Sequence, residues 1–239
     1  LNWEFNAGYE TKNGPSVAIG DNGVIYVGGT KKLHSLNQAT GKVIWSYDRY
    51  GSAQTGPVLD DVGNIYYRTW SRLISLKASS GELNWEMQPQ GGDAGSHHNS
   101  PILGDGNEIH ITTWGGKVVT VNRNSGRIIN TNENGPLGAL WSAPVLDADG
   151  DLLVSYETGL VGGLLKIDAQ TRDVLWSFKS SAGIGASPIV DDLGTVYVGS
   201  RDKKMYAING DDGSVEWSFK TDGAIWSSAL IDEFGIIYF

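Results

Sequence analysis

Apolar and polar residues alternate along this chain in short runs, and the runs are punctuated by glycine and by Asp- or Asn-rich stretches. Val196-Tyr197-Val198, Met205-Tyr206-Ala207-Ile208 and Trp217-Ser218-Phe219 are examples. A period of two places successive side chains on opposite faces of an extended strand. No window shows a 3.6-residue period, so almost no helix is predicted.

The pattern repeats about every 43 residues. A typical unit opens on Pro, passes through Gly-x-Ile/Val-Tyr and Leu-x-x-Leu, reaches a Thr/Ser-Gly turn and closes on Trp. One copy is Pro57, Gly63, Tyr66, Leu73, Leu76, Ser80-Gly81, Trp85; another is Pro188, Gly194, Tyr197, Met205, Ile208, Asp212-Gly213, Trp217. A short strand repeat of this length marks a radial or stacked repeat protein. Each unit parses into four strands joined by hairpins, which describes a propeller blade. The predicted fold is an all-β propeller of four-stranded antiparallel blades. Five complete repeats span roughly 14–47, 56–87, 100–132, 143–178 and 187–219. A partial sixth blade combines 228–239 with 1–5, because Trp3 precedes Pro15 by the same interval as Trp45 precedes Pro57. Two arrangements are open: a ring that continues past Phe239, and a six-bladed ring with one three-stranded blade.

Composition narrows the chemistry. There is no cysteine, which excludes disulfides, thiolate metal sites and Cys nucleophiles. The net charge of −9 argues against general nucleic-acid binding. No apolar run is long enough to span a membrane as a helix.

The segments Leu36–Trp45 and Ile208–Trp217 resemble the tryptophan-docking motif of PQQ-like repeats. So does the stretch from Ser187-Pro188 through Tyr197-Val198-Gly199-Ser200 to Lys204–Ala207. The superfamily includes quinoprotein alcohol dehydrogenases and non-enzymatic propellers such as the outer-membrane barrel-assembly lipoprotein. The resemblance implies that Trp45, Trp85, Trp176, Trp217 and Trp3 pack between neighbouring blades, and that Trp217→Ala costs about 3–5 kcal/mol as a buried aromatic deletion. It also implies an extracytoplasmic location. Two repeats depart from the motif: the third has Asn130 in the Trp position, and the fourth has Arg172 in place of the turn Gly. These blades are expected to dock less tightly or in a different way.

Function is sought where the repeat varies. Second-to-third-strand loops and Trp-to-Pro connections share one face, here called the upper face. Lys31, Lys32, Arg68, Arg72, Lys117, Arg201, Lys203 and Lys204 fall in its loops, while the Asp-rich turns lie opposite. The reading is a bipolar disc that steers an anionic ligand, or simply solvated repeat lysines. The connection before Pro101 is the longest and holds Asp93, His97 and His98. Trp70, Trp114, Trp141 and Trp226 lie outside the docking motif and are candidate binding aromatics; Trp141 and Trp226 alternatively plug the central channel. Adjacent His97 and His98 point apart on an extended chain, so no metal site is assigned. Asp147-Ala148-Asp149-Gly150-Asp151 lacks the Gly and Glu of a calcium loop at the required places and reads as the ordinary acidic turn.

No catalytic residue and no cofactor is assigned. The favoured function is a non-catalytic scaffold that binds a protein or carbohydrate partner through the upper face. Two alternatives stand beside it. One is a fragment of a PQQ-dependent dehydrogenase, which by family resemblance needs a vicinal disulfide that a chain without Cys cannot form. The other is a polysaccharide-active enzyme using Asp93, His97, His98 and Glu133.

Overall fold

The computed structural model describes residues 2–8, 17–20, 23–29, 31–48, 55–69, 71–89, 99–131, 138–140 and 142–239. The described residues form strands and turns and no helix. The first sheet holds β1 (Val17–Gly20), β2 (Val24–Gly28), β3 (Lys32–Asn37) and β4 (Val43–Asp48). The second holds β5 (Val58–Leu59), β6 (Asn64–Arg68), β7 (Leu73–Lys77) and β8 (Leu83–Met87). The third holds β9 (Ile102–Leu103), β10 (Glu108–Thr112), β11 (Val118–Asn122) and β12 (Ile128–Thr131). The fourth holds β13 (Val145–Leu146), β14 (Leu152–Thr158), β15 (Val161–Ile167) and β16 (Val174–Ser180). The fifth holds β17 (Ile189–Val190), β18 (Thr195–Ser200), β19 (Lys204–Asn209) and β20 (Val215–Lys220). A two-stranded sheet of β21 (Leu230–Ile231) and β22 (Ile237–Tyr238) follows.

Every full sheet is an antiparallel meander in sequence order. The core lies between sheets. On the second sheet, Ile65, Tyr67, Ile74 and Leu76 pack with Tyr26 and Leu33 of the first, whereas Tyr66 and Leu73 pack with Ile109, Ile111, Val119 and Val121 of the third. The period-two alternation therefore sends each set of side chains to a different neighbour. Strands buried on both faces carry apolar residues at nearly every position, as these do.

Two turns recur and explain most of the acidic residues. In the first-to-second-strand turn, an Asp carboxylate accepts hydrogen bonds from two backbone N–H groups and from a Tyr hydroxyl six residues on. The sets are Asp60 with Val62, Asn64 and Tyr66, Asp191 with Leu193, Thr195 and Tyr197, and Asp232 with Phe234, Ile236 and Tyr238. Burial raises the pKa of Asp60, but the bonds from Asn64, Tyr66 and Val62 outweigh it and hold the carboxyl below its ordinary range. These aspartates are local staples. In the fourth repeat the Tyr position is Leu153, and Asp147 turns instead to the Lys166 ammonium at 2.7 Å. Asp151, at 3.5 Å, the Gly210 carbonyl, at 3.3 Å, and the exposed Asp149, at 4.0 Å, also surround that ammonium.

The second recurring turn joins third and fourth strands and receives a tryptophan from the preceding repeat. Trp3 lies over Gly41, Trp45 over Gly81, Trp85 over Gly126 and Trp176 over Gly213. Each glycine has a left-handed φ near +70°, and an added Cβ would sit 2.6–2.8 Å from the indole. Only glycine meets both demands. Each indole Nε1–H donates to the carbonyl three residues before its glycine: Gln38, Ala78, Arg123 and Gly210, at 2.8–2.9 Å.

Trp217 differs. It is 42% exposed, whereas Trp176 is 8% exposed, and no described glycine turn covers it. The 3–5 kcal/mol loss that a buried indole implies therefore does not apply to Trp217 in this chain. Nor does a ladder join the two ends among the described residues. β21 and β22 pair only with each other, and residues 2–8 carry no strand. In the full sheets a fourth strand bonds only to a third, and no third strand stands beside β22 to bridge it to residues 2–5.

Candidate functional site on the upper face

The loops between second and third strands and the connections between repeats meet at one end of the sheets, because consecutive antiparallel strands reverse direction. Of the candidate residues there, Trp70, Trp141, Asp93, His97 and His98 lie outside the described residues, as does Glu133. Trp114 is exposed in a tight turn closed by Gly116 N–H on the Thr113 carbonyl, and Lys117 follows it half-buried.

Four of the cations assigned to this face are buried or paired. Arg68 is not a loop residue: β6 runs through it, and it is almost wholly buried. Its Nη1 donates to the Thr112 carbonyl of the third sheet at 2.7 Å, and burial pushes its pKa down to about 10. Arg68 is thus an inter-sheet tie rather than an exposed loop cation. Arg72 pairs with Glu86 at 3.3 Å and Lys32 with Asp48 at 3.3 Å. Each carboxylate comes from the fourth strand beside the loop. Lys203 is exposed and holds a left-handed φ of 69°, and its carbonyl accepts from Thr221 N–H at 2.8 Å.

One group on this face is assembled from three repeats. Trp226, just before β21, is 64% exposed. The Arg201 guanidinium lies 4.0 Å from the centroid of its ring, a cation–π stack. Arg201 Nη1 donates to Glu157 Oε1 at 2.6 Å, and its backbone N–H donates to the Gly183 carbonyl at 3.1 Å. Glu157 sits at the end of β14, where its backbone exchanges two hydrogen bonds with Ala139. Gly183 lets the carboxylate pass, since a Cβ there would lie 2.6 Å from Glu157 Cδ. Gly185 gives the guanidinium room, with a Cβ position 3.4 Å from Nη2. Below the indole, Ile225 is buried and its N–H donates to the Ser200 carbonyl.

The group offers an exposed indole face, and beneath it Glu157 Oε2 and Arg201 Nε are buried without a hydrogen-bond partner among the described residues. That is an aromatic platform held rigid from below by a salt-bridged guanidinium. Trp226 and Arg201 are the sequence candidates brought together here; Glu157, Gly183 and Gly185 were missed. The available signal was alignment of the connections: Gly185 stands where Trp141 and Trp226 stand in the repeats on either side. Among the described residues, no three His, Asp or Glu side chains converge on a point that could hold a metal ion.

The family model for the outer membrane protein assembly factor BamB matches residues 1–136 and 130–232. The chain belongs to this family. The crystal structure of BamB from Moraxella catarrhalis superposes with a TM-score of 0.69 at 20% identity, covering 87% of this chain and 64% of that one. The quinohemoprotein alcohol dehydrogenase from Comamonas testosteroni gives 0.76 at 15% identity, over 99% of this chain and 47% of the enzyme. The WD40 propeller domain of Doa1 gives 0.68 at 14%, over 92% and 73%. These likenesses establish the PQQ-like β-propeller fold. The chain spans less than two thirds of the Moraxella protein and of the dehydrogenase. No curated protein sequence matches it. No helix among the described residues is long and apolar enough to cross a membrane.

Proposed function

We propose that this chain is a non-catalytic propeller scaffold that binds a protein partner through its upper face, in an extracytoplasmic compartment. The observation that carries the reading is the Trp226–Arg201–Glu157 group. Large exposed aromatics held rigid by neighbours are the usual anchors of protein interfaces, because little rotamer entropy is lost on binding. Family membership supports a protein partner over a glycan, and a location at the outer membrane. The dehydrogenase alternative is not favoured. The residues present do not fit the quinone site that the family resemblance describes, since there is no cysteine for its disulfide and no cluster of acidic ligands among the described residues.

The test is a thermal-shift and fluorescence screen of the whole chain against extended peptides, against anionic and neutral glycans, and against PQQ with calcium. A peptide that stabilises the parent but not Trp226→Ala or Arg201→Ala is the expected outcome. A ligand at a hundredfold excess over its dissociation constant adds about 2.7 kcal/mol of stability. Stabilisation by PQQ with calcium would overturn the reading in favour of the enzyme. Stabilisation by a glycan alone would change the partner class.

A further inference from the structure

Two residues beyond the Tyr position of the second strand, the other full sheets carry Gly28, Thr112, Ser155 and Gly199, all small and uncharged. The second sheet carries Arg68 there, and its side chain enters the seam with the third sheet. Around it the upper ends of three repeats are polar yet buried. Thr55, Arg68, Thr69, Asn99, Thr112 and Ser142 are each no more than 4% exposed. Thr112 is their hub. Its carbonyl accepts from Arg68 Nη1 at 2.7 Å, and its hydroxyl accepts from Asn99 Nδ2 at 2.6 Å and donates to the Ser142 carbonyl at 3.0 Å. Thr55 Oγ1 accepts from the Arg68 backbone N–H at 3.3 Å.

This group does not balance its charge. The carbonyl that takes one guanidinium N–H is neutral, and Arg68 Nε is buried with no hydrogen-bond partner. The carboxylate on the same sheet, Glu86, stands opposite Ile74, which packs towards the first sheet, and it pairs with Arg72. Among the described residues no carboxylate pairs with Arg68. Nor does the arginine escape by losing a proton: burial lowers its pKa only to about 10, so it stays cationic at neutral pH. Buried charges are ordinarily held by an opposite charge or an ion. The uncommitted groups here are mainly donors. Thr69 Oγ1, Ser142 Oγ and Arg68 Nε stand against the single acceptor Asn99 Oδ1.

We infer that this polar group binds a small monovalent anion, chloride or a short carboxylate, at the Arg68 guanidinium. The anion supplies the counter-charge and accepts the Nε–H. A neutral ligand would leave the charge unbalanced, and a cation would double it. Because Thr112 and its partners join the second, third and fourth repeats, occupancy stabilises their packing at the upper end. The site shares no residue with the Trp226–Arg201–Glu157 group and stands whether or not that group binds a protein.

The test is the melting temperature of the whole chain in sodium chloride, sodium acetate and sodium gluconate at one ionic strength. Gluconate is too bulky for a buried site and sets the baseline. Chloride or acetate is expected to raise the melting temperature. Once the site is mostly filled, each tenfold rise in anion raises the folding constant about tenfold. Chloride alone marks an inorganic-ion site and acetate alone a carboxylate site, and either supports the inference. Arg68→Met is expected to abolish the difference between the salts, which a general salt effect would not lose. Trp226→Ala is expected to leave it unchanged. Should Arg68→Met fail to fold, crystals of the parent grown in bromide and in acetate give the same reading, with one of the two anions expected at the guanidinium. Equal melting temperatures in the three salts would overturn the inference. So would a difference that survives Arg68→Met, or both anions found only elsewhere.

Discussion

Between the fourth and fifth sheets, a tryptophan of one repeat seals against a glycine of the next; between the third and fourth, neither residue is present. Asn130 stands for the tryptophan and Arg172 for the glycine. Two further changes accompany them. The stapling Asp is Gly104, and the Tyr it would hold is His110, whose imidazole occupies the space of the missing Asp side chain. Arg172 is buried and keeps the left-handed φ of the turn, at 69°. Its Nη2 donates to Thr120 Oγ1, on the residue paired with Asn130, so the guanidinium reaches back towards the vacated indole position. His110 Nδ1 shares that hydroxyl at 3.0 Å. The four departures are thus one exchange, of an Asp–Tyr–Trp–Gly set for a Gly–His–Asn–Arg set. Apolar area and an N–H to a carbonyl are replaced by a buried cation that donates to the Thr120 hydroxyl. The Asp and Tyr positions also vary at seams that keep the Trp–Gly dock, as Leu153 shows in the fourth repeat, so what sets this seam apart is the loss of the tryptophan and the glycine together.

The largest expected effect breaks the apolar version. Trp176→Ala removes a buried indole and is expected to cost about 3–5 kcal/mol in denaturant unfolding, against less than about 1 kcal/mol for the exposed Trp217→Ala. Equal losses would mean that the glycine cap is not what buries the docking tryptophan. The polar version is sharpened by pH. Burial, and then the charge of Arg172, push the pKa of His110 down to about 4. Glu108 Oε2, 3.5 Å from Nε2, does not offset them. The unfolded chain takes up this proton below about 6.5, so stability is fully present above that pH and falls by up to about 3 kcal/mol as pH drops towards 4. His110→Gln is expected to flatten that slope, read from melting curves across the window. The subtlest measurement is a double-mutant cycle. Asn130→Trp alone places an indole against Arg172, and Arg172→Gly alone leaves a void, but together they rebuild the ordinary dock. A favourable coupling of about 1–3 kcal/mol is expected, and strict additivity would show that the two departures are unrelated.

Much of the fold was legible because the period-two pattern is strict and copied. Tyr66 and Ile65 alternate between the two neighbouring sheets, and the turn glycines at 41, 81, 126 and 213 have a physical reason to be glycine. The site was less legible because its partners lie in other repeats. Glu157 and Arg201 are 44 residues apart, and Arg172 and Thr120 are 52 apart. Nothing local marks either pair. Arg68 was misread as a loop cation because Tyr67-Arg68-Thr69 looks like a strand running into solvent; only the third sheet, with the Thr112 carbonyl, shows why an arginine belongs in the core.

The acidic turn of the fourth repeat has one more consequence. Asp147 and Asp151 close around the Lys166 ammonium, which also holds the Gly210 carbonyl of the next repeat. Tethering fixes the effective concentration of this counter-ion by the chain itself rather than by the medium. Dilution cannot wash it out and a chelator cannot strip it. The seam between these two repeats therefore needs no ion from the medium, and salt screens its clasp only weakly because Lys166 and Asp147 are nearly buried.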